Sequence, residues 1–309
     1  IQFNPILSGN PTNRMGNWLD IIPKLKKLNP LPSQGVLYMA SIADFIDLDR
    51  YPLDNLDSPS GRILVKDCRQ MMREHAICAL KGFLRPAIVR TLSNEVTSLE
   101  DAMRRVDFQA TPYGWLKNSG FPEDHPRSRL FHRRCGVLTA DQLKPKGPCT
   151  QLFQFAELTE FVRRLLGYES LFNSACPNIS VRLNIMQQGD EFGWHYDTND
   201  GAVSLVLQDA QEGGAFEYAP LIRSEEDENY DRVSRIFSGR TSPVVADAPA
   251  GTFILFMGRR SLHRVASVGQ TQQSRQTLLF SYDRKPGMVF PEKIRKRMLE
   301  PSPEPFLGQ

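Results

Sequence analysis

Between residues 178 and 284 the chain breaks into eight short segments of strand character, and their spacing constrains the fold more than any other feature. They read ISVRLNIM, WHYD, AVSLVLQ, AFEYAP, SPVVADA, TFILFM, HRVASV and RQTLLFSYD, separated by turns rich in Gly, Pro, Asp and Ser. Runs this short, with β-branched and aromatic residues, read as strands; helices need longer stretches of 3.6-residue periodicity. A single open sheet of such strands would leave apolar side chains in water. The pattern therefore predicts two antiparallel sheets closed on each other as a jelly roll.

Upstream, residues 1–60 are rich in Pro, Asn and Asp, which favours turns and predicts an outer wrapping. Apolar residues at three- and four-residue spacing, such as Ile88, Leu92, Val96, Leu99 and Met103, predict amphipathic helices over 62–84 and 86–106. A third helix fits 156–166, with Gly167 as its stop. Residues 107–150 mix Pro, Gly, aromatics, His125 and His132 without a period and read as an irregular region of the kind that walls a pocket. The chain ends in a short basic helix around KIRKRM, followed by PSPEP.

The 309 residues, 40% of them hydrophobic, suffice to bury a sizeable core. The 38 basic and 35 acidic side chains are interspersed, so no single-sign field points to nucleic acid or an anionic membrane. The longest apolar run, around Phe253 to Met257, is far below the roughly 20 residues that span a bilayer. The opening IQFNPILSGN has no basic stretch followed by an apolar one, so no secretory signal is expected there. Five scattered cysteines without a C-x-x-C pair read as reduced thiols of a cytoplasmic protein.

Chemistry concentrates in the strand region. His195 and Asp197, two apart in WHYD, would share one face of a strand and could share a metal. With 35 acids among 309 residues, such a pair arises by accident in roughly half of chains with five histidines, so it means little alone. His263, after the strand TFILFM, completes a set of two imidazoles and one carboxylate, the facial triad that leaves positions open on non-haem iron. Arg275, twelve positions later, offers a guanidinium suited to the far carboxylate of a dicarboxylic keto acid. Thr277 shares its face and is either a second donor or a simple strand former. His75 lies in a helical pattern and reads as a surface or packed residue, with a metal pair to Cys78 three positions later as the alternative, and Gly213–Gly214 reads as a turn. The acidic stretch 224–231 (SEEDENYD) is a solvated loop or, alternatively, a lid for a cationic substrate.

The array NIMQQGDxxxWHYD, GGxF, PAGTFILF, LHRV and RxT resembles the double-stranded β-helix family of iron(II)/2-oxoglutarate-dependent oxygenases. The resemblance implies an α+β chain in three parts: an N-terminal wrapping and helical region (1–177), a jelly-roll, cupin-like core (178–284) and a C-terminal tail (285–309). It implies Fe(II) on His195, Asp197 and His263, 2-oxoglutarate on Arg275, Thr277 and Asn184, and O2 as oxidant. Arg264 belongs to the same motif without a derivable role. FPEDHPR and the acidic loop are similar to the branch of free amino-acid halogenases and hydroxylases. Halogenating members replace the carboxylate ligand by a small residue, whereas Asp197 is present here, which favours oxygen transfer. The expected substrate is a small molecule, an amino acid or a derivative, with His125, Thr198 and Glu217 as candidate contacts and no nucleic acid or membrane as partner. Hydroxylation of protein or nucleobase by the same fold, or a non-catalytic jelly-roll binding protein, are the alternatives.

Overall fold

Caps and breakers explain where the helices begin and end. The computed structural model describes residues 40–114 and 116–299; the expectations for the first 39 residues and for PSPEP lie outside them. After a single helical turn, α1 (Ile42–Phe45), helix α2 (Pro59–His75) starts where the Ser58 hydroxyl accepts from the Gly61 amide, with Pro59 in the first turn. It stops at Ala76, whose left-handed φ of 63° turns the chain away. Helix α3 (Pro86–Thr97) also opens on a proline. After α4 (Pro148–Gln154), α5 (Ala156–Leu166) ends at Gly167 with φ 70°, as the sequence predicts. Beyond these lie α6 (Tyr230–Phe237) and the basic α7 (Glu292–Leu299).

The first two helices are shorter than expected. Residues 77–80 form strand β1 (Ile77–Leu80), paired with a later strand, and β2 (Arg104–Ala110) replaces the end of the second predicted helix. Four apolar residues fit a helix or a strand equally well by periodicity, and only the pairing partner decides. The region expected to be irregular contains β3 (Phe131–Thr139), the antiparallel mate of β2 over its whole length. Its start, FHRR, is only half-buried, which hid the strand behind charged residues.

Each predicted strand segment contains a strand, although WHYD is strand only as far as His195. After the two-residue β4 (Phe172–Asn173) come β5 (Val181–Met186), β6 (Glu191–His195), β7 (Ala202–Gln208), β8 (Phe216–Ala219) and β9 (Val244–Val245). They are followed by β10 (Phe253–Phe256), β11 (Leu262–Val265), β12 (Arg275–Phe280) and β13 (Tyr282–Asp283). Eleven of the described strands form one sheet, ordered β1-β10-β7-β12-β5-β3-β6-β11-β8-β9 with β2 beside β3; β13 pairs β4 separately. This sheet curls into two layers. The later half of β3 pairs with β5 and its earlier half with β6, so β5 and β6 lie end to end along one edge of β3. The turn between them is pinned by Asp190, buried to 1% exposure, which accepts two hydrogen bonds from Arg105, at 2.8 and 2.5 Å, and one from the Gln187 amide.

Alternation separates two faces of the larger layer. Val203, Leu205, Leu207, Phe253, Leu255, Leu183, Ile185 and Leu278 pack against α2, α3 and α5 in the main core, where Phe253 meets Phe83 and Phe161 at 4.9 and 5.7 Å. The opposite positions, including Val206, Ile254 and Phe256, face the smaller layer and meet Tyr218 of β8. A well-filled core behind the sheet makes it a rigid platform; truncating a buried Phe there costs about 3–5 kcal/mol. The candidate site sits on the inner face.

Candidate active site

His195 and His263 are direct partners across the antiparallel pair of β6 and β11, with ring centroids 4.0 Å apart. Each is fixed by its own backbone. The Nδ1 of His195 lies 2.9 Å from the Gly193 carbonyl, and that of His263 2.9 Å from the Ser261 carbonyl. A carbonyl can only accept, so Nδ1 carries a proton in both rings and Nε2 is the atom left to meet a metal. Burial, followed by the neighbouring His263 and Arg133, holds His195 well below the usual histidine range and keeps it neutral.

Asp197 does not lie on the strand, because β6 ends at His195. The alternation argument therefore fails for it. Its amide instead donates to the Gly258 carbonyl at 3.1 Å, which returns the side chain to the histidines. Oδ1 lies 3.9 Å from Nε2 of His195 and 3.6 Å from that of His263, and the three ligand atoms fall within 4.8 Å of one another. Burial works to raise this carboxyl, but His263, Arg182 and Arg133 outweigh it and hold it below its usual value. Gly258 makes room: a Cβ there would stand 1.9 Å from Asp197 Oδ2. Two imidazole nitrogens and one carboxylate oxygen converging on one point fit a divalent first-row ion such as iron.

Arg275 points into the same interior and is 8% exposed; among the described residues no carboxylate pairs with it, and its Nη1 donates to Thr277 Oγ1 at 2.6 Å. Gly214 lies against its stem, where a Cβ would come 2.9 Å from Cδ, so the Gly213–Gly214 turn serves close approach. Thr277 is opposite Asn184 in register, and the Asn184 Oδ1 is buried without a hydrogen-bond partner among the described residues. A desolvated guanidinium with the Thr277 hydroxyl beside it and no described carboxylate partner fits the carboxylate of an anionic ligand such as 2-oxoglutarate.

Beside Asp197 opens a cavity of about 500 Å³ whose walls include Tyr113, Tyr196, Thr198, Arg223, Glu228 and Arg260. Arg223 stacks on the Tyr196 ring at 3.9 Å and pairs with Glu228 at 3.0 Å. Burial raises both phenols above their ordinary range, so they stay protonated. Thr198 is thus in the cavity wall. His125 stands one layer behind, against Phe121 and Tyr230 at 4.4 and 4.5 Å. Glu217 lies on the outer face of the smaller layer, bound to Arg264 at 2.7 Å, and does not border the cavity. That pair gives Arg264 a place: its guanidinium covers Trp194, the neighbour of His195, at 4.7 Å. From the acidic loop, Ser224, Glu225 and Glu228 border the cavity, yet Glu225 and Glu228 are already paired with Arg259 and Arg223. Sequence reasoning did not single out Tyr113, Tyr196, Arg223 or Gly258, which carry no motif signal.

The family model described as halogenase D matches residues 61–288, most of the chain. The chain belongs to the halogenase D family. It is thereby an enzyme of the iron(II)/2-oxoglutarate oxygenase superfamily, and the curled two-layered sheet agrees. Among solved structures, the epimerase SnoN with Fe3+, alpha-ketoglutarate and nogalamycin RO is 12% identical, with 72% of this chain and 84% of that one covered at a TM-score of 0.50. A 2OG-Fe(II) oxygenase family oxidoreductase from Burkholderia pseudomallei is 18% identical, covering 72% and 92% at 0.46. A Pseudomonas putida prolyl-4-hydroxylase is 14% identical, covering 72% and 100% at 0.45. At such identities the likeness concerns fold. No curated protein sequence matches the chain. All five cysteines are free and buried, and no described helix is long and apolar enough to cross a membrane.

Proposed function

We propose that this member of the halogenase D family oxidises a C–H bond of a small molecule by oxygen transfer, with Fe(II) held by His195, Asp197 and His263. Bound there with 2-oxoglutarate and O2, the iron supplies oxidising power coupled to decarboxylation of the cosubstrate to succinate and CO2. The protein supplies position. The backbone carbonyls of Gly193 and Ser261 aim the two Nε2 atoms, and Gly258 leaves Asp197 its place. Arg275 and Thr277 hold the far carboxylate of 2-oxoglutarate, and Asn184 contacts the same ligand.

The observation that carries the choice of reaction is Asp197 itself. With iron bound, its carboxylate would take the coordination position that a halide needs, so oxygen transfer is favoured within a family named for halogenation. The cavity beside it supports a free amino acid or a close derivative as substrate: Arg223, Arg259, Arg260, Glu225 and Glu228 all border a space of about 500 Å³, a lining of both charge signs that suits a small zwitterion. Incubation with a panel of free amino acids, 2-oxoglutarate and iron should give substrate-dependent succinate and a product heavier by one oxygen, without chloride dependence. His195→Ala and Asp197→Ala should abolish both signals; full turnover in either variant would refute the ligand assignment.

A further inference from the structure

The mechanism above uses one guanidinium of the interior, Arg275, and leaves another on the paired strand unused. That one belongs to Arg182 on β5. Val181, Leu183 and Ile185 of this strand join the helix-side core, so Arg182, Asn184 and Met186 take the inner face. In the register with β12, Met186 is opposite Arg275, Asn184 opposite Thr277 and Arg182 opposite Leu279. Arg275, the Thr277–Asn184 pair and Arg182 therefore form one file along two paired strands. The two arginines sit four residues apart on it, about 13 Å between backbone levels, and each long side chain spans part of that gap.

The Arg182 side chain makes neither a hydrogen bond nor an ion pair with any described residue. Burial pushes its pKa down, and Cys135 and Asp197 are the groups close enough to oppose that. This places the guanidinium toward the metal ligands, at the opposite end of the file from Arg275. A desolvated charge without a counter-ion is costly, and it becomes favourable when an anion arrives. The substrate cavity beside Asp197 is not bordered by Arg182, Asn184 or Thr277, so the anion in question is on the cosubstrate side.

We propose that Arg182 is a positioning residue that grips the carboxylate next to the keto group of 2-oxoglutarate, while Arg275 grips the far one. The inference rests on the cosubstrate reading given above. One dianion then neutralises two interior cations, and the file acts as a ruler for a diacid.

The test titrates 2-oxoglutarate and laevulinate into metal-free protein, followed by calorimetry. Laevulinate keeps the keto group and the far carboxylate but lacks the first. Wild type should prefer 2-oxoglutarate by about tenfold or more, the value of a charge-assisted contact. Arg182→Met should erase the preference by weakening 2-oxoglutarate alone, with laevulinate binding unchanged. If that variant fails to fold by circular dichroism, Arg182→Lys, which cannot offer two parallel bonds, should narrow the preference. A folded variant of either kind with undiminished preference overturns the role of Arg182, as does a wild type that binds both acids equally. A wild type that binds neither acid, with or without Mn(II), fails the cosubstrate reading as well.

Discussion

Gly258 offers the sharpest separation of metal binding from stability. In Gly258→Ala the new Cβ would meet the Asp197 side chain at 1.9 Å (Oδ2), 2.6 Å (Cγ) and 3.0 Å (Cβ). Ordinary contact begins near 3.4 Å, so the carboxylate must withdraw by at least 1.5 Å, the difference between the two values for Oδ2. Metal–ligand distances tolerate only about 0.2 Å. The displaced Asp197 can no longer complete the triad. Alanine costs nothing in backbone terms, because Gly258 does not have a left-handed φ. With 26% of its side chain exposed, Asp197 also has room to swing outward. The expected result is a melting temperature close to wild type together with a loss of metal affinity of at least the 10- to 100-fold that misplaced ligand support costs, on the order of 1–3 kcal/mol. Calorimetric titration with Co(II) or Mn(II), paired with thermal melts, reads both quantities. Undiminished metal affinity in a normally folded Gly258→Ala protein would sink the reasoning.

Two further outcomes follow from burial and charge. Arg275→Met removes a buried guanidinium that has no described carboxylate partner, so the melting temperature should hold or rise while 2-oxoglutarate binds roughly 10- to 100-fold more weakly; a marked drop in melting temperature would show that Arg275 holds the fold. Hydrogen bonds from Arg163 and Arg164 hold the Glu160 carboxyl down to about 2, against 4.5 for an unperturbed group. Because the folded value is depressed, the stabilisation is complete above pH 4.5 and is lost as pH falls toward 2. Glu160→Gln should cost under about 1 kcal/mol at pH 7, since the carboxyl is 38% exposed, and the gap should close across that window in melts; a gap independent of pH would refute the pairing.

Strand positions were legible wherever side chains alternate against two different cores, as in β7 and β10, because each residue type had to suit its face. Two kinds of residue escaped. Ile77 to Leu80 and the charged start of β3 give no local period that distinguishes them from helix or loop, and only distant partners, β10 and β2, make them strands. The spacing of His195, His263 and Arg275 was informative because adjacent β6 and β11 and the inner face of β12 bring those positions into one interior. Asp197 was found for an incomplete reason: the loop amide bond to Gly258, and not strand alternation, orients it. Tyr113, Arg223 and Gly258 depend on contacts between remote segments, and Arg182 lay inside a recognised strand whose inward face has no meaning until its neighbours are known.

The joint at Asp190 sets a tolerance for the whole reaction. β5 carries Asn184 and β6 carries His195, and the chain passes from one layer to the other through the turn that Asp190 anchors to Arg105 and Arg134. The distance between Asn184, proposed to contact the cosubstrate, and His195, proposed to hold the metal, is thus calibrated by an ion-paired turn that touches neither. Substitutions at Arg105 or Asp190 are expected to masquerade as active-site lesions, altering how well oxidation is coupled to 2-oxoglutarate turnover while every residue that meets the reactants is intact.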